Sequence, residues 1–223
     1  MTLTRAVKIV SPTLPNAKLQ ELLDKTGPYA EGHFLYPADA SGPRAHLAAF
    51  FYIAKWASEP GAISLAADDL VKWIAAKKIP VDVILAPGES SVKKITDRIC
   101  ESLNVPAAYL EYLPSGRFGE TIENAGALAG KNVLAFNGVS ITGRCVGERL
   151  PAFAEKAGGT ISAVAAFAKG TAAGVKAAED RFGDRFYAAI QVDIPMHPPD
   201  PKKCPLCLGG FPLSPWNAPS QTT

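Results

Sequence analysis

The chain has 223 residues, of which 48% are hydrophobic and 20% are charged, and its formal net charge is only +2. This composition is typical of one folded domain with an ample core, and it excludes a disordered chain. So small a charge argues against nucleic acid or an anionic membrane as the main partner. No apolar window has the length of a signal peptide or a transmembrane helix, and the four cysteines fit a reducing compartment, so we expect a cytoplasmic protein.

Helices and strands are predicted to alternate along most of the chain. Apolar periodicity and capping residues predict helices over residues 17–26, 45–58, 64–78, 92–103 and 144–156. Short β-branched or apolar runs predict strands over residues 81–86, 107–112, 133–136, 160–167 and 188–194. This order favours an α/β fold with a mainly parallel sheet and helices on both faces. Ligands of such folds bind at the carboxyl ends of the strands.

The segment 131–150 carries the clearest binding signal. Its strand is followed by Asn137 and Gly138, a turn signal, and then by Thr142 and Gly143, after which a helix begins at Arg144. A glycine-containing turn between a strand and a helix points backbone N–H groups at one position, which favours an anion such as phosphate. A purely structural turn explains the same spacing.

Five segments together resemble the orotate phosphoribosyltransferases, which have the type I phosphoribosyltransferase fold. They are residues 32–35, 81–87, 109–112, 133–143 and the Cys-Pro-Leu-Cys tail at 204–207. The resemblance implies a mainly parallel central sheet flanked by helices, with a small hood formed by the N-terminal segment and the C-terminal tail. It also implies a phosphoribosyltransferase-like domain over residues 1–195 and a Pro-rich tail over residues 196–223.

The resemblance further implies an activity and a set of site residues. The activity is phosphoribosyl transfer between phosphoribosyl pyrophosphate and orotate, with Mg²⁺, in a homodimer whose ligand is a small phosphoribosyl compound or nucleotide. Arg117 and Asn137 are the implied catalytic residues. The implied phosphate- and ribose-binding residues are Gly88, Glu89, Ser90, Asn137, Gly138, Val139, Ser140, Ile141, Thr142, Gly143 and Arg144. The segment 113–130, which has no clear periodicity, is predicted to be a lid or a disordered loop.

Several residues depart from the family pattern. Asn137 and Gly138 stand where the family has two adjacent carboxylates, and Tyr112 stands where it has a lysine. Losing one preorganised charge-stabilising group typically costs about 2.7–4 kcal/mol of transition-state stabilisation. Glu89 also places an acid near the expected pyrophosphate position. The sequence therefore leaves three hypotheses open: a weakened transferase, a non-catalytic nucleotide- or phosphoribosyl-binding module, and an enzyme with a changed substrate.

The cysteine tail has two interpretations. Cys204 and Cys207 have the spacing of half a zinc site, and His197 is a candidate third ligand. No second Cys-x-x-Cys pair and no clear fourth ligand follow from the sequence, so we expect no metal ligands and a packed tail with two reduced thiols. His33 is expected to be a partly buried histidine with satisfied hydrogen bonds.

Overall fold

The computed structural model describes residues 6–13, 16–36 and 44–215. The strands are β1 Val7–Ile9, β2 Tyr29–Leu35, β3 His46–Phe51, β4 Val83–Pro87, β5 Ala107–Tyr112, β6 Phe118–Glu123, β7 Asn132–Ser140, β8 Thr160–Lys169, β9 Phe186–Val192, β10 Met196–His197 and β11 Ser214–Pro215. The helices are α1 Asn16–Thr26, α2 Ile53–Ala57, α3 Ala62–Lys77, α4 Ser90–Leu103, α5 Leu150–Lys156, α6 Ala173–Phe182 and α7 Pro205–Leu208. A π-helical turn, Cys145–Arg149, leads into α5.

The central sheet has seven strands in the order β1-β9-β8-β7-β4-β5-β6. The five middle strands are parallel, and the two outer strands, β1 and β6, pair antiparallel to them. Along β7, side chains alternate between two cores: Leu134 and Phe136 lie in one, and Val133 and Ala135 in the other. This alternation is the period of a strand buried on both faces. The predicted mainly parallel α/β sheet is confirmed.

A smaller sheet, which we call the hood, has the strand order β10-β3-β2-β11. Strands β2 and β3 form an antiparallel pair, and the C-terminal tail supplies both outer strands. The predicted hood, built from the N-terminal segment and the tail, is therefore confirmed. The domain boundary at residue 195 stays a prediction. Within the described residues, no helix is long and apolar enough to cross a membrane.

Three local predictions are wrong. Residues 45–58 do not form one helix, because β3 pairs with β2 and only residues 53–57 are helical. Asn137 and Gly138 do not form a turn, because β7 continues to Ser140 with Asn137 opposite Ala166 of β8. The segment 113–130 is not a disordered loop, since β6 forms a hairpin with β5 through a turn in which the Leu113 amide donates to the Arg117 carbonyl at 2.8 Å; the alternative that it acts as a lid stays a prediction. In each case strand pairing overrides the local pattern.

Candidate functional site

Side chains from three parts of the fold meet at the carboxyl ends of the parallel strands. Tyr36, one residue after β2, shares a side-chain hydrogen bond with Thr142, which follows β7. Tyr112, at the end of β5, lies close enough to Tyr36, Glu89 and Cys145 for their charges to act on its hydroxyl. The hood strand β2 thus reaches the loop that the sequence predicted to be a phosphate cradle.

The two tyrosines and the cysteine of this site are held protonated. Burial raises the pKa of Tyr112 to about 12, with Glu89 acting in the same direction. Burial also raises the pKa of Tyr36. Burial raises the pKa of the Cys145 thiol to about 11, although Arg149 and Arg144 act in the opposite direction. At neutral pH these groups are hydrogen-bond donors, and Cys145 is not a thiolate nucleophile.

Two arginines supply positive charge beside Thr142. Arg144 and Arg149 both act on the Tyr36 hydroxyl and lower its pKa, in opposition to burial. The Arg149 guanidinium lies 4.9 Å from the centre of the Phe118 ring, which is a cation–π contact. Arg144 is half exposed, with its Nε 3.7 Å from a carboxylate oxygen of Glu148. The charges of both guanidinium groups therefore act at this edge of the sheet.

The loop after β7 is fixed by close backbone packing. Gly143 has φ +81°, and a Cβ there would lie 2.3 Å from backbone atoms of Gly174 and Val175 at the start of α6. A Cβ on Gly174 would in turn lie 2.3 Å from the Thr142 carbonyl oxygen. Only glycine fits either position, so the packing against α6 explains Gly143 without any ligand. This packing supports the interpretation of Gly143 as part of a purely structural turn. The same packing leaves Thr142 oriented toward Tyr36.

The Asn137–Gly138 pair is buried in the strand. The Asn137 side chain is 6% exposed, and its Nδ2 donates to the Val139 carbonyl oxygen at 2.9 Å. A Cβ on Gly138 would lie 2.6 Å from Ile53 Cδ1 and 2.7 Å from Val92 Cγ2. A carboxylate at position 138 therefore requires neighbouring side chains to move. Within the described residues, the buried Ser140 hydroxyl at the end of β7 has no hydrogen-bond partner.

Glu89 forms the N-terminal cap of α4. Its carboxylate accepts hydrogen bonds from the backbone amides of Ser91 at 3.0 Å and Val92 at 2.9 Å. The preceding residue, Gly88, donates its amide to the Leu110 carbonyl oxygen at 2.8 Å. A carboxylate on these amides satisfies them and complements the positive end of the helix dipole. The loop that the resemblance assigns to pyrophosphate thus carries an anion of its own.

Two basic residues, Lys93 on α4 and Arg117 on the β5–β6 hairpin, lie in segments next to the expected pyrophosphate position. Lys93 Nζ lies 3.2 Å from a carboxylate oxygen of Glu123 and 4.3 Å from the centre of the Tyr109 ring. Arg117 lies at the turn of the β5–β6 hairpin and is half-buried. The lysine therefore pairs with a neighbouring acid of the hairpin.

No protein-family model matches the chain, and no curated protein matches it. Solved structures do. A phosphoribosyltransferase from Corynebacterium diphtheriae gives a TM-score of 0.57 at 13% identity, covering 78% of this chain and 93% of that chain. Orotate phosphoribosyltransferase from Mycobacterium tuberculosis, in complex with inorganic phosphate, gives 0.56 at 16% identity, with coverage of 78% and 86%. Orotate phosphoribosyltransferase from Aeropyrum pernix gives 0.55 at 15% identity, with coverage of 78% and 92%.

The chain has the type I phosphoribosyltransferase fold. The predicted resemblance is confirmed at that level. Identities of 13–16% show the fold alone, so the function must be argued from the site.

On this fold, the structure brings together Thr142, Arg144 and Glu89 of the residues predicted from the sequence. It adds Tyr36, Cys145 and Arg149, which the sequence reasoning missed. Arg149 lies five residues after Arg144, a spacing that an α-helix does not bring to one face, so helical periodicity did not indicate it; the π-helical turn Cys145–Arg149 ends at this arginine. No spacing rule connects Tyr36 to Thr142, because their contact depends on how the hood packs against the central sheet.

The potential metal ligands of the described residues lie in two places, at this edge of the sheet and in the hood. Mg²⁺ prefers oxygen ligands, and the carboxylate closest to the expected pyrophosphate position, Glu89, already accepts two amides. The residues of this edge therefore do not form a magnesium site by themselves. Within the described chain, the group of three or more potential metal ligands consists of His33, His46, Cys204 and Cys207. His197, the third ligand considered from the sequence, lies opposite His46 across the β3–β10 pair and is outside this group.

Proposed function

We propose that this chain binds the phosphate group of a phosphoribosyl compound or nucleotide at the edge formed by Thr142, Arg144 and Arg149. We further propose that its capacity to transfer phosphoribosyl from phosphoribosyl pyrophosphate is weak or altered. The observation that carries the proposal is the Glu89 carboxylate bound to the first amides of α4. Such a donor carries a 5′-phosphate and a pyrophosphate. The position proposed for the phosphate has arginines beside it, whereas the position expected for the pyrophosphate is occupied by the Glu89 carboxylate.

Binding at the phosphate side is supported by charge and donors. Arg144 and Arg149 lie near the Tyr36–Thr142 hydrogen bond, and the tyrosine is protonated at neutral pH. Charge-assisted hydrogen bonds from guanidinium groups to phosphate are among the stronger polar interactions in proteins. The rigid backbone packing of the loop at Gly143 and Gly174 keeps Thr142 in place before any ligand arrives.

Weak transfer from phosphoribosyl pyrophosphate is supported by three features. Pyrophosphate must displace Glu89 from the α4 amides or bind beside its negative charge. Asn137 and Gly138 stand at the two positions where the family has its acid pair. The Asn137 amide donates to its own strand, and a Cβ on Gly138 would be crowded. Without those carboxylates, positive charge developing at the sugar carbon is poorly stabilised, which lowers the rate roughly a hundred- to thousandfold.

The second candidate function is the orotate phosphoribosyltransferase reaction itself. The shared fold and the location of Arg117 at the turn that follows β5 support it. In that case Arg117 and Asn137 would contact the donor, and Mg²⁺ would arrive bound to the pyrophosphate, since protein oxygens at this edge are few. The active form in that case would be the homodimer that the family resemblance implies.

Calorimetry on the full chain separates these functions. We expect ribose 5-phosphate or a nucleoside 5′-phosphate to bind, and the Arg144→Ala/Arg149→Ala variant to lose at least tenfold in affinity, about 1.4 kcal/mol. Arg98→Ala is the matched control, because that arginine lies on α4 and pairs with Glu101 at 3.4 Å. Absence of binding to every phosphorylated ligand would refute the proposed site, and orotidylate formation at an ordinary enzyme rate would favour the second candidate.

A further inference from the structure

Two histidines of the hood and two cysteines of the tail form a compact group away from the strand ends described above. His33 lies on β2, and His46 lies on the neighbouring strand β3. Cys204 directly precedes the short helix α7, and Cys207 lies within it. Their four ligand atoms all lie within 4.8 Å of one another. Both histidines and Cys204 are buried, with exposures of 3%, 4% and 0%.

Three distances between ligand atoms of this group fall in the range of a tetrahedral metal site, and the distance between the two histidine nitrogens is shorter. His33 Nε2 lies 3.0 Å from His46 Nδ1, 3.7 Å from Cys204 Sγ and 3.8 Å from Cys207 Sγ. Cys207 Sγ lies 3.4 Å from His46 Nδ1. A tetrahedral zinc ion with Zn–N of about 2.0–2.1 Å and Zn–S of about 2.3 Å separates its ligand atoms by about 3.3–3.8 Å. We propose that His33, His46, Cys204 and Cys207 bind one zinc ion.

A hydrogen bond behind His33 supports the same assignment. Its other ring nitrogen, Nδ1, lies 2.9 Å from the Phe211 carbonyl oxygen. A carbonyl only accepts, so Nδ1 carries the proton and donates it, and the lone pair of Nε2 points into the group. Ligand histidines in metal sites are oriented in this way by an acceptor on their second nitrogen.

Charge and ligand type select the metal. Two thiolates and two neutral imidazoles around a divalent cation give a complex with no net charge, which a buried position tolerates. Sulfur and imidazole ligands in tetrahedral geometry are typical of zinc, whereas Mg²⁺ and Ca²⁺ prefer oxygen. The four ligands come from both ends of the chain, so bound zinc ties the tail onto the hood. Because β2 also leads to Tyr36, the ion stabilises the strand that reaches Thr142.

Metal analysis of the full-length protein tests this site. We expect close to one zinc per chain by mass spectrometry of the native protein. After chelation and dialysis, Co²⁺ added to the protein gives the visible bands of tetrahedral coordination and a thiolate-to-cobalt band in the near ultraviolet. The cobalt spectrum reports sulfur ligation directly, so it decides the proposal even where a ligand variant fails to fold.

Matched variants locate the ion. Cys207→Ser and His46→Gln should each lose the metal or lower its affinity at least a hundredfold. Cys100→Ala and His197→Gln should keep it, because Cys100 lies on α4 and His197 lies outside the group. Native protein without zinc and without cobalt absorption overturns the proposal, and so does a Cys204→Ser/Cys207→Ser variant that retains the metal.

Discussion

The side-chain carboxylate of Glu89 lies 2.9 Å from the backbone nitrogen of Val92, in the first turn of α4. A free helix N-terminus at the end of a parallel strand is a ready anion site. Here an internal carboxylate occupies it, so the edge of the sheet is divided between a filled anion position at α4 and a cationic position near Thr142.

Replacing Glu89 with alanine should open the α4 amides to an external anion. We expect pyrophosphate affinity to rise about tenfold, which corresponds to 1.4 kcal/mol. Loss of the cap should lower the free energy of unfolding by about 1 kcal/mol. Calorimetry with inorganic pyrophosphate and urea denaturation measure the two effects. Glu21→Ala, which removes an equal charge from an exposed position on α1, is the control. An unchanged pyrophosphate affinity in Glu89→Ala contradicts the blocking role.

Replacing Gly143 with alanine should destabilise the whole domain. The added Cβ would lie 2.3 Å from the Gly174 backbone, and the residue would keep a positive φ of +81°. Overpacking and the left-handed conformation together should lower the free energy of unfolding by about 3 kcal/mol. Gly126→Ala is the matched control, since nothing lies within 4 Å of its Cβ position. Equal urea midpoints for the two variants would show that the loop is not packed as described.

Cys145 should resist alkylation at neutral pH. Burial raises the pKa of its thiol to about 11, so the thiolate fraction is very small at pH 7 and grows only as the pH approaches that value. Iodoacetamide labelling followed by peptide mass spectrometry measures this reactivity between pH 7 and pH 10. The urea-unfolded protein, in which the thiol has its ordinary pKa, is the control. Rapid labelling of folded protein at pH 7 would identify Cys145 as an activated thiol instead.

Asp82 should contribute a stability that depends on pH. Its carboxylate accepts hydrogen bonds from the Asn132 backbone amide at 2.8 Å and from the Asn132 side chain at 2.9 Å, and these bonds lower its pKa. A lowered pKa means that the stabilisation is present above the pKa of the unfolded state and is lost as the pH falls through the folded value. Asp82→Ala should therefore be less stable than the native chain at pH 7, with a smaller difference in acid.

The control for this pH dependence is Asp184→Ala. That carboxylate is 90% exposed and pairs with Lys77 at 3.2 Å, so its removal should change stability little at any pH. Thermal melts from pH 7 down to acid measure both variants. A difference for Asp82→Ala that stays constant with pH would show that the two hydrogen bonds do not favour the ionised form.

The sequence was sufficient for the five parallel strands of the central sheet, because these are short apolar runs buried on both faces, but it did not indicate the outer strands β1 and β6. An apolar run that includes residues such as Val133 and Leu134 indicates a buried strand by itself, whichever strands it pairs with. The hood was predicted only through the family resemblance. His46 to Phe51 has an apolar pattern that fits either a helix or a strand, and pairing with β2 decides between them. The course of β7 through Gly138 likewise depends on its register with β8.

The candidate site was predicted in part for similar reasons. Thr142 and Glu89 lie on loops whose ends are set by strands, so their location at one edge follows from strand order. The capping role of Glu89 could have been recognised from an acid placed directly before a helix start. The contact of Tyr36 with Thr142 and the approach of His46 to Cys207 join residues more than 100 positions apart in sequence. Only the packing of the hood and tail brings them together.

The rate of orotidylate formation from phosphoribosyl pyrophosphate and orotate, with saturating Mg²⁺ and high protein concentration, measures directly how far phosphoribosyl transfer is weakened. Turnover in enzymes is typically about 1–1,000 s⁻¹. The loss of the acid pair and the anion position filled by Glu89 predict a rate at least roughly a hundredfold below that of a typical enzyme, together with measurable binding of a nucleoside 5′-phosphate. Brisk, Mg²⁺-dependent orotidylate synthesis by the native chain would contradict this prediction.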